Sequence, residues 1–309
     1  MIFRIGKPAA LAAGVLCAGC VPSAPPTEQP RNVAVVQPVV APEPIPIPAP
    51  EPEPQGPSTF VFDGALEQGG WMRGQVPGGT VSARLGEQEL ALDDEGRFFA
   101  AFDRDAAPTA LLRAQLRSGE TIESPVTVAP REWNIERVNI ARRTGGPSES
   151  FMQRRRPELA QINAARIADS DVDGWRQSFV WPVTGRISGR FGSQRIYRGE
   201  PGSYHSGLDI ATGESGTPFA APAAGIVTLA TETPFSLEGN LLIIDHGQGL
   251  NSAFLHMSEI GVREGQRVEQ GQYVGRIGST GRATGPHLHW SIKWRDARLD
   301  PLLFLGPMP

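Results

Sequence analysis

The sequence predicts a mostly β protein: a small β-sandwich-like domain, a short helical connector, and a second strand-and-turn domain at the C-terminal end. Three observations carry this. Apolar and polar residues alternate at period two between turn signals over residues 58–130. One stretch between 131 and 178 changes to a helical pattern. From Phe179 onward glycine-punctuated strands return, and all five histidines fall after residue 204. At 309 residues, 39% hydrophobic and 20% charged, the chain is long enough for two domains of ordinary size. Its net charge of −4 excludes nucleic-acid binding driven by global charge. The two cysteines, Cys17 and Cys20, both lie in the first twenty residues, so no disulfide framework holds the body together.

Residues 1–20 read as an address. Arg4 and Lys7 precede an apolar run over residues 9–20. That run is too short to cross a bilayer of roughly 30 Å as a helix and suits a secretory signal. Leu16-Cys17-Ala18-Gly19-Cys20 resembles the lipobox of bacterial lipoproteins, although Cys17 stands where leucine is usual. That resemblance implies cleavage before Cys20 and its acylation; the alternative is plain secretion. Cys17 and Cys20 also form a C-x-x-C, but a redox pair needs a folded setting that a signal segment lacks. Residues 21–57 hold 13 of the 29 prolines and show no periodicity. They are expected to form a Pro-rich disordered linker in polyproline II, with a reach on the order of 100 Å at ~3.1 Å per residue.

In the 58–130 domain, Val81, Ala83 and Leu85 alternate before a turn at Gly86-Glu87, then Leu90 and Leu92 follow. A turn at Asp93-Asp94-Glu95-Gly96 leads to Phe98, Ala100 and Phe102. Leu112, Ala114 and Leu116 come next, then Ser118-Gly119, then Ile122, Val126 and Val128. Short strands at this spacing predict a small antiparallel sandwich. It contains no histidine or cysteine, so its expected role is spacing, docking or autoinhibition. In the 131–178 connector, Pro157 is expected in the first turn of a helix over residues 158–167. Arg154-Arg155-Arg156 could face an acidic partner; the plainer reading is a solvated helix end or loop.

The chemistry concentrates after residue 179. Side chains alternate along a strand, so His287 and His289 point the same way and can share one site. His205 lies four residues before Asp209, and His256 sits in Phe254-Leu255-His256-Met257. Catalytic zinc sites keep three protein ligands and an exchangeable water. His205, Asp209 and either His287 or His289 would supply two imidazoles and a carboxylate. The chain has no His-Glu-x-x-His, so acid–base work falls to the remaining histidines, which titrate in the right range.

Several further motifs stand in order: Val180-Trp181-Pro182-Val183, Tyr204-His205-Ser206-Gly207-Leu208-Asp209-Ile210, Gly216-Thr217-Pro218, Gly239-Asn240, Ile244-Asp245-His246-Gly247 and Ser279-Thr280-Gly281-Arg282-Ala283-Thr284-Gly285-Pro286-His287-Leu288-His289. With them, residues 179 to 304 resemble the lysostaphin/LytM-type zinc metallo-endopeptidases that cut peptide cross-links in bacterial cell walls. The resemblance implies an antiparallel β domain with an open groove over residues 179–309. It assigns zinc to His205, Asp209 and His289, and catalysis to His256 and His287. His246 falls at a position that is structural in the family. The chain departs from the pattern at Phe254, where a tyrosine hydroxyl is lost, at Trp290 in place of phenylalanine, and at Ser291 in place of an acidic residue.

The implied function is a zinc-dependent peptidoglycan endopeptidase acting on D-alanyl–diaminopimelate cross-links of stem peptides. The implied setting is the periplasm, with an outer-membrane lipid anchor and a protein regulator. A competing reading is a non-catalytic LytM-type module that activates another wall hydrolase; the complete ligand set argues against it. Residues 262–275 also look like a biotinyl/lipoyl carrier hairpin, but the only lysines, Lys7 and Lys293, lie outside it.

Overall fold

A computed structural model describes residues 56–141 and 145–309. The signal segment, Cys17, Cys20 and the linker up to residue 55 lie outside the described residues. The first region contains β1 (Val61–Ala65), β2 (Trp71–Gln75), β3 (Thr80–Leu85), β4 (Gln88–Glu89), β5 (Arg97–Ala101), β6 (Thr109–Leu116) and β7 (Thr121–Thr127). They form two antiparallel sheets, β1-β2-β5 and β4-β3-β6-β7.

Strand β5 differs from the expected alternation. Phe98, Phe99, Ala100 and Ala101 are all buried. Phe98 meets Phe60 edge-on at 6.1 Å. On the opposite face, Phe99 stacks on Trp71 at 6.2 Å and on Phe304 at 6.4 Å, and meets Trp294 edge-on at 6.4 Å. Because Trp294 and Phe304 come from the far end of the chain, the strand has no solvent face to make polar. A continuous apolar run is the pattern such a strand requires.

The connector begins with β8 (Ile135–Val138) and continues to α1 (Glu149–Arg166). The Ser148 side chain caps the helix by accepting from the Phe151 N–H at 3.2 Å. Pro157 therefore lies inside the helix and not in its first turn. Its ring nitrogen has no hydrogen to offer the preceding turn. Arg155 and Glu158, on either side of it, are both held by groups outside the helix. Of the helix residues only Arg155 and Ala165 are buried, so α1 is docked largely by polar contacts. Arg155 is thus no solvated helix end, unlike the exposed Arg154 and Arg156.

The C-terminal region contains β9 (Arg186–Gly189), β10 (Gln194–Tyr197), β11 (Glu200–Tyr204), β12 (Leu208–Ala211), β13 (Pro218–Ala220), β14 (Gly225–Ala230), β15 (Asn240–Asp245), β16 (Leu250–Met257), β17 (Glu259–Ile260), β18 (Arg267–Val268), β19 (Tyr273–Arg276), β20 (Leu288–Trp294) and β21 (Ala297–Leu299). The main sheet runs β18-β14-β15-β16-β20-β12-β9, with β21 beside β20, and its pairs are antiparallel. Strands β13-β19-β17 form one small sheet and β11-β10-β8 another, in which β8 and β10 run parallel. Residues 262–275 do not make a hairpin with themselves: β18 joins the main sheet and β19 the small one.

Strand alternation sorts the main sheet into two faces. Leu242, Ile244, Phe254, Trp290 and Ile292 belong to the core shared with the sandwich. Leu241, Ile243 and Ala253 face the other way and pack against Ala165 of α1 and Phe235. Among the described residues no helix is long and apolar enough to cross a membrane.

Candidate metal centre

The pairing of three strands assembles the site. In the β12–β20 ladder Asp209 stands directly opposite His289. In the β16–β20 ladder Leu255 stands opposite His289, which brings the following residue, His256, to the same end of the sheet. His205 directly follows β11, in the short turn that leads into β12. Two glycines leave room for these side chains. A Cβ on Gly207 would lie 2.8 Å from His289 Nε2, and one on Gly189 would lie 2.4 Å from Asp209 Oδ2.

His205 Nε2 is 3.0 Å from Asp209 Oδ1 and 3.2 Å from His289 Nδ1, while His289 Nδ1 is 2.8 Å from Asp209 Oδ1. Zinc with bonds of about 2.0–2.1 Å separates tetrahedral ligand atoms by roughly 3.3 Å. The triangle of donors thus has nearly the size that zinc requires, and two imidazoles with a carboxylate are a suitable donor set. Among the described residues, this is the group of His, Cys, Asp or Glu side chains whose donor atoms converge in this way.

Hydrogen bonds select the tautomers. A carbonyl oxygen only accepts, so the ring nitrogen facing one carries the proton. His205 Nδ1 donates to Arg190 O at 3.1 Å, which leaves Nε2 free toward Asp209 and His289. His256 Nδ1 donates to Thr280 O at 2.8 Å, and His287 Nδ1 donates to Gly285 O at 2.8 Å. In the neutral ring this tautomer leaves the lone pair on Nε2. The two rings lie 5.1 Å apart, and His287 Nε2 is 3.8 Å from Asp209 Oδ1. The structure thus brings together the five residues predicted for the metal centre, with His205, Asp209, His287 and His289 partly open to solvent.

Burial opposes ionisation of Asp209, but hydrogen bonds and charge from His205 and His289 hold its carboxyl well below the usual range. Burial also acts to lower His205, yet Asp209 outweighs it and raises the imidazole. Burial pushes His256 and His289 down, toward the neutral form.

His246 lies apart from this cluster. Its Nδ1 donates to Ala224 O and its Nε2 accepts from the Ser252 hydroxyl, both at 2.8 Å. The Ser252 oxygen in turn accepts from Trp290 Nε1 at 3.1 Å. Full burial pushes His246 down to about 4. It is a neutral hydrogen-bonding link in the core, as its position in the sequence pattern implies.

Sequence reading missed the residues that brace the site. Arg104, in the sandwich, donates to Gly192 O at 3.1 Å, and the Gly192 N–H donates to His205 O at 2.9 Å. Arg104 also lies over the rings of Tyr204 at 4.6 Å and Trp133 at 5.0 Å. On the other side, His256 has a positive φ of 64° and its N–H donates to Glu238 O at 2.8 Å. The Glu238 carboxylate is gripped by both terminal nitrogens of Arg155 at 2.6 Å. The only advance signal for Arg155 was the arginine triplet.

Residues 203–301 match the model of Peptidase family M23. Over 147 residues the chain is 37% identical to the peptidoglycan DD-endopeptidase ShyA of Vibrio cholerae, covering 45% of this chain and 33% of ShyA. Over 139 residues it is 37% identical to the Lipoprotein NlpD/LppB homolog of Pseudomonas aeruginosa, covering 45% of this chain and 42% of that protein. The matches therefore span less than half of either relative's length. A crystal structure assigned to peptidase M23 from Pseudomonas aeruginosa is similar with a TM-score of 0.59 at 28% identity, over 79% of this chain and 96% of that one. The strand ladders, the converging donors and these matches together identify a Peptidase family M23 domain of the LytM type within the C-terminal half of this chain.

Proposed function

We propose that this protein is a zinc-dependent peptidoglycan endopeptidase that hydrolyses D-alanyl–diaminopimelate cross-links between stem peptides. The observation that carries the reading is the convergence of His205, Asp209 and His289, with the free Nε2 atoms of His256 and His287 beside them. Similarity to proteins named DD-endopeptidases supports the substrate class. The ligands are His205 through Nε2, His289 through Nδ1 and one oxygen of Asp209. When bound, zinc supplies Lewis acidity that polarises an amide carbonyl and acidifies water. His256 and His287 are the residues that take up and return protons. Each has Nδ1–H committed to a backbone carbonyl, which orients the ring and leaves Nε2 available.

The test is digestion of purified cross-linked muropeptides by the full chain, followed by chromatography and mass spectrometry. Dimers should become monomers, glycan strands should stay intact, and a chelator should stop the reaction. Release of whole stem peptides from the sugar would show that the bond is wrong. Conversion only after a second hydrolase is added would establish the activator reading. Acylation at Cys20, the proposed outer-membrane anchor in the periplasm, is supported by similarity to a lipoprotein. Cys20→Ser should move the protein from the membrane fraction to the soluble periplasm.

A further inference from the structure

Strand β20 carries a second concentration of charge on the face that bears His289. Ser291 and Lys293 share that face by alternation, and Lys293 stands four residues, or roughly 13 Å, beyond His289. Lys293 lines a cavity of about 480 Å³ together with Arg166, Arg295, Asn163, Asp169 and Asp296. Three cations and two carboxylates line it, so positive charge is in excess. Arg166, the last residue of α1, donates to Asn251 Oδ1 at 2.5 Å and reaches Ser291 Oγ at 3.5 Å, both uncharged partners. Arg295 Nε is buried and has no hydrogen-bond partner. Among the described residues, none of the three cations comes within ion-pair distance of Asp169 or Asp296.

The electrostatics agree with this geometry. Burial, and then the neighbouring charge of Arg298, push Arg166 down to about 10, with Glu238 acting the other way. Burial, and then the charges of Arg166 and Arg298, push Lys293 down, with Asp296 and Asp103 acting the other way. Like charges held together away from water are costly unless a counter-charge joins them. Arginine offers a planar fork that matches an oxyanion, and lysine adds a compact point charge. Three cationic side chains lining one cavity make a place for an oxyanion.

We propose that this cavity is an oxyanion subsite, lined by Arg166, Lys293 and Arg295, that binds a carboxylate of the wall stem peptide while the scissile bond lies at the metal centre. The identity of the ligand rests on the endopeptidase reading; the existence of an oxyanion site does not. Diaminopimelate-containing stems carry several carboxylates, which are the oxyanions that this substrate offers.

The experiment is isothermal titration of the full chain with a diaminopimelate-containing stem peptide, its amidated form, and inorganic phosphate. The free acid should bind the wild type, and Lys293→Met and Arg295→Gln should each weaken it by roughly tenfold, the worth of one charge-assisted hydrogen bond. Lys293→Arg should retain binding, which separates charge from folding. On muropeptide dimers, Lys293→Met should raise KM and leave kcat unchanged. Equal affinities in wild type and variants, or no effect of amidation, would overturn the subsite. Phosphate that binds in the cavity without competition from the peptide would assign it to free phosphate and overturn the peptide proposal. Charge-dependent peptide binding by a protein that cleaves no cross-link would overturn the endopeptidase reading and leave the oxyanion site standing.

Discussion

The two sides of the metal centre are braced by different parts of the chain. The His205 side leans on the sandwich: Arg104 holds Gly192 O, and Gly192 holds the His205 carbonyl. The His256 side leans on the connector: Arg155 grips Glu238, whose carbonyl accepts the His256 N–H. The first brace supports a proposed ligand, and the second supports a proposed proton carrier. Neither is made within the segment that matches the peptidase family, since Arg104 and Arg155 both precede residue 203. The sandwich and the helix are therefore parts of the site's support as well as connections to it.

Substitutions within the site test this contrast most severely. Asp209→Ala and His289→Ala should lose zinc and activity together. His256→Ala and His287→Ala should keep the metal and lose about 10²–10⁴ in rate, the usual worth of a general acid or base. Metal analysis beside a hydrolysis assay separates the two classes. Full zinc retention by Asp209→Ala would remove it from the ligand set, and metal loss in His287→Ala with retention in His289→Ala would reverse that pair.

A smaller effect is expected at the braces. Arg104→Met should weaken zinc retention, whereas Arg155→Met should spare the metal and lower kcat by about tenfold with little change in KM, the result of a misplaced His256. Arg155→Met should also cost about 3 kcal/mol of stability, because it leaves the Glu238 carboxylate without its partner in a largely buried setting. The charge swap Arg155→Glu with Glu238→Arg should recover part of the kcat. Equal metal loss in both single variants, measured by competition with a chromogenic chelator, would show that the braces are not distinct.

The prediction most remote from the metal centre concerns His246, which touches neither brace. Its folded-state pKa of about 4 lies below the ordinary 6.5, so the unfolded chain binds the proton first as pH falls. Stability should be unaffected above pH 6.5, decline between about 6.5 and 4, and have lost about 3 kcal/mol below that window. His246→Gln should flatten this part of the profile in denaturant titrations. An unchanged slope would assign the acid sensitivity to other groups.

Much of the site was legible because its proposed ligands sit in short local patterns. His205 and Asp209 flank the entry to β12, while His289 lies in β20 and His287 stands one residue before it, bridged to Gly278. The turns of the sandwich were legible for the same reason. Strand β5 was harder to read: its continuous apolar run was present, but which partner covered the second face depended on Trp294 and Phe304. Pro157 was misplaced because the Ser148 cap lies well before it, and a proline at a helix start looks locally the same as one tolerated inside.

By itself, the sequence determined the mostly β class, the segment that carries the chemistry, and the residue types able to bind a metal or move a proton. Periodicity and side-chain chemistry are local properties and survive in one dimension. Only the tertiary structure decided that Asp209 faces His289 across 80 residues of chain, which nitrogen of each imidazole is free, and that Arg104 and Arg155 stand behind the site. Those outcomes depend on strand register and on which distant groups share a low-dielectric space, and no local spacing encodes either.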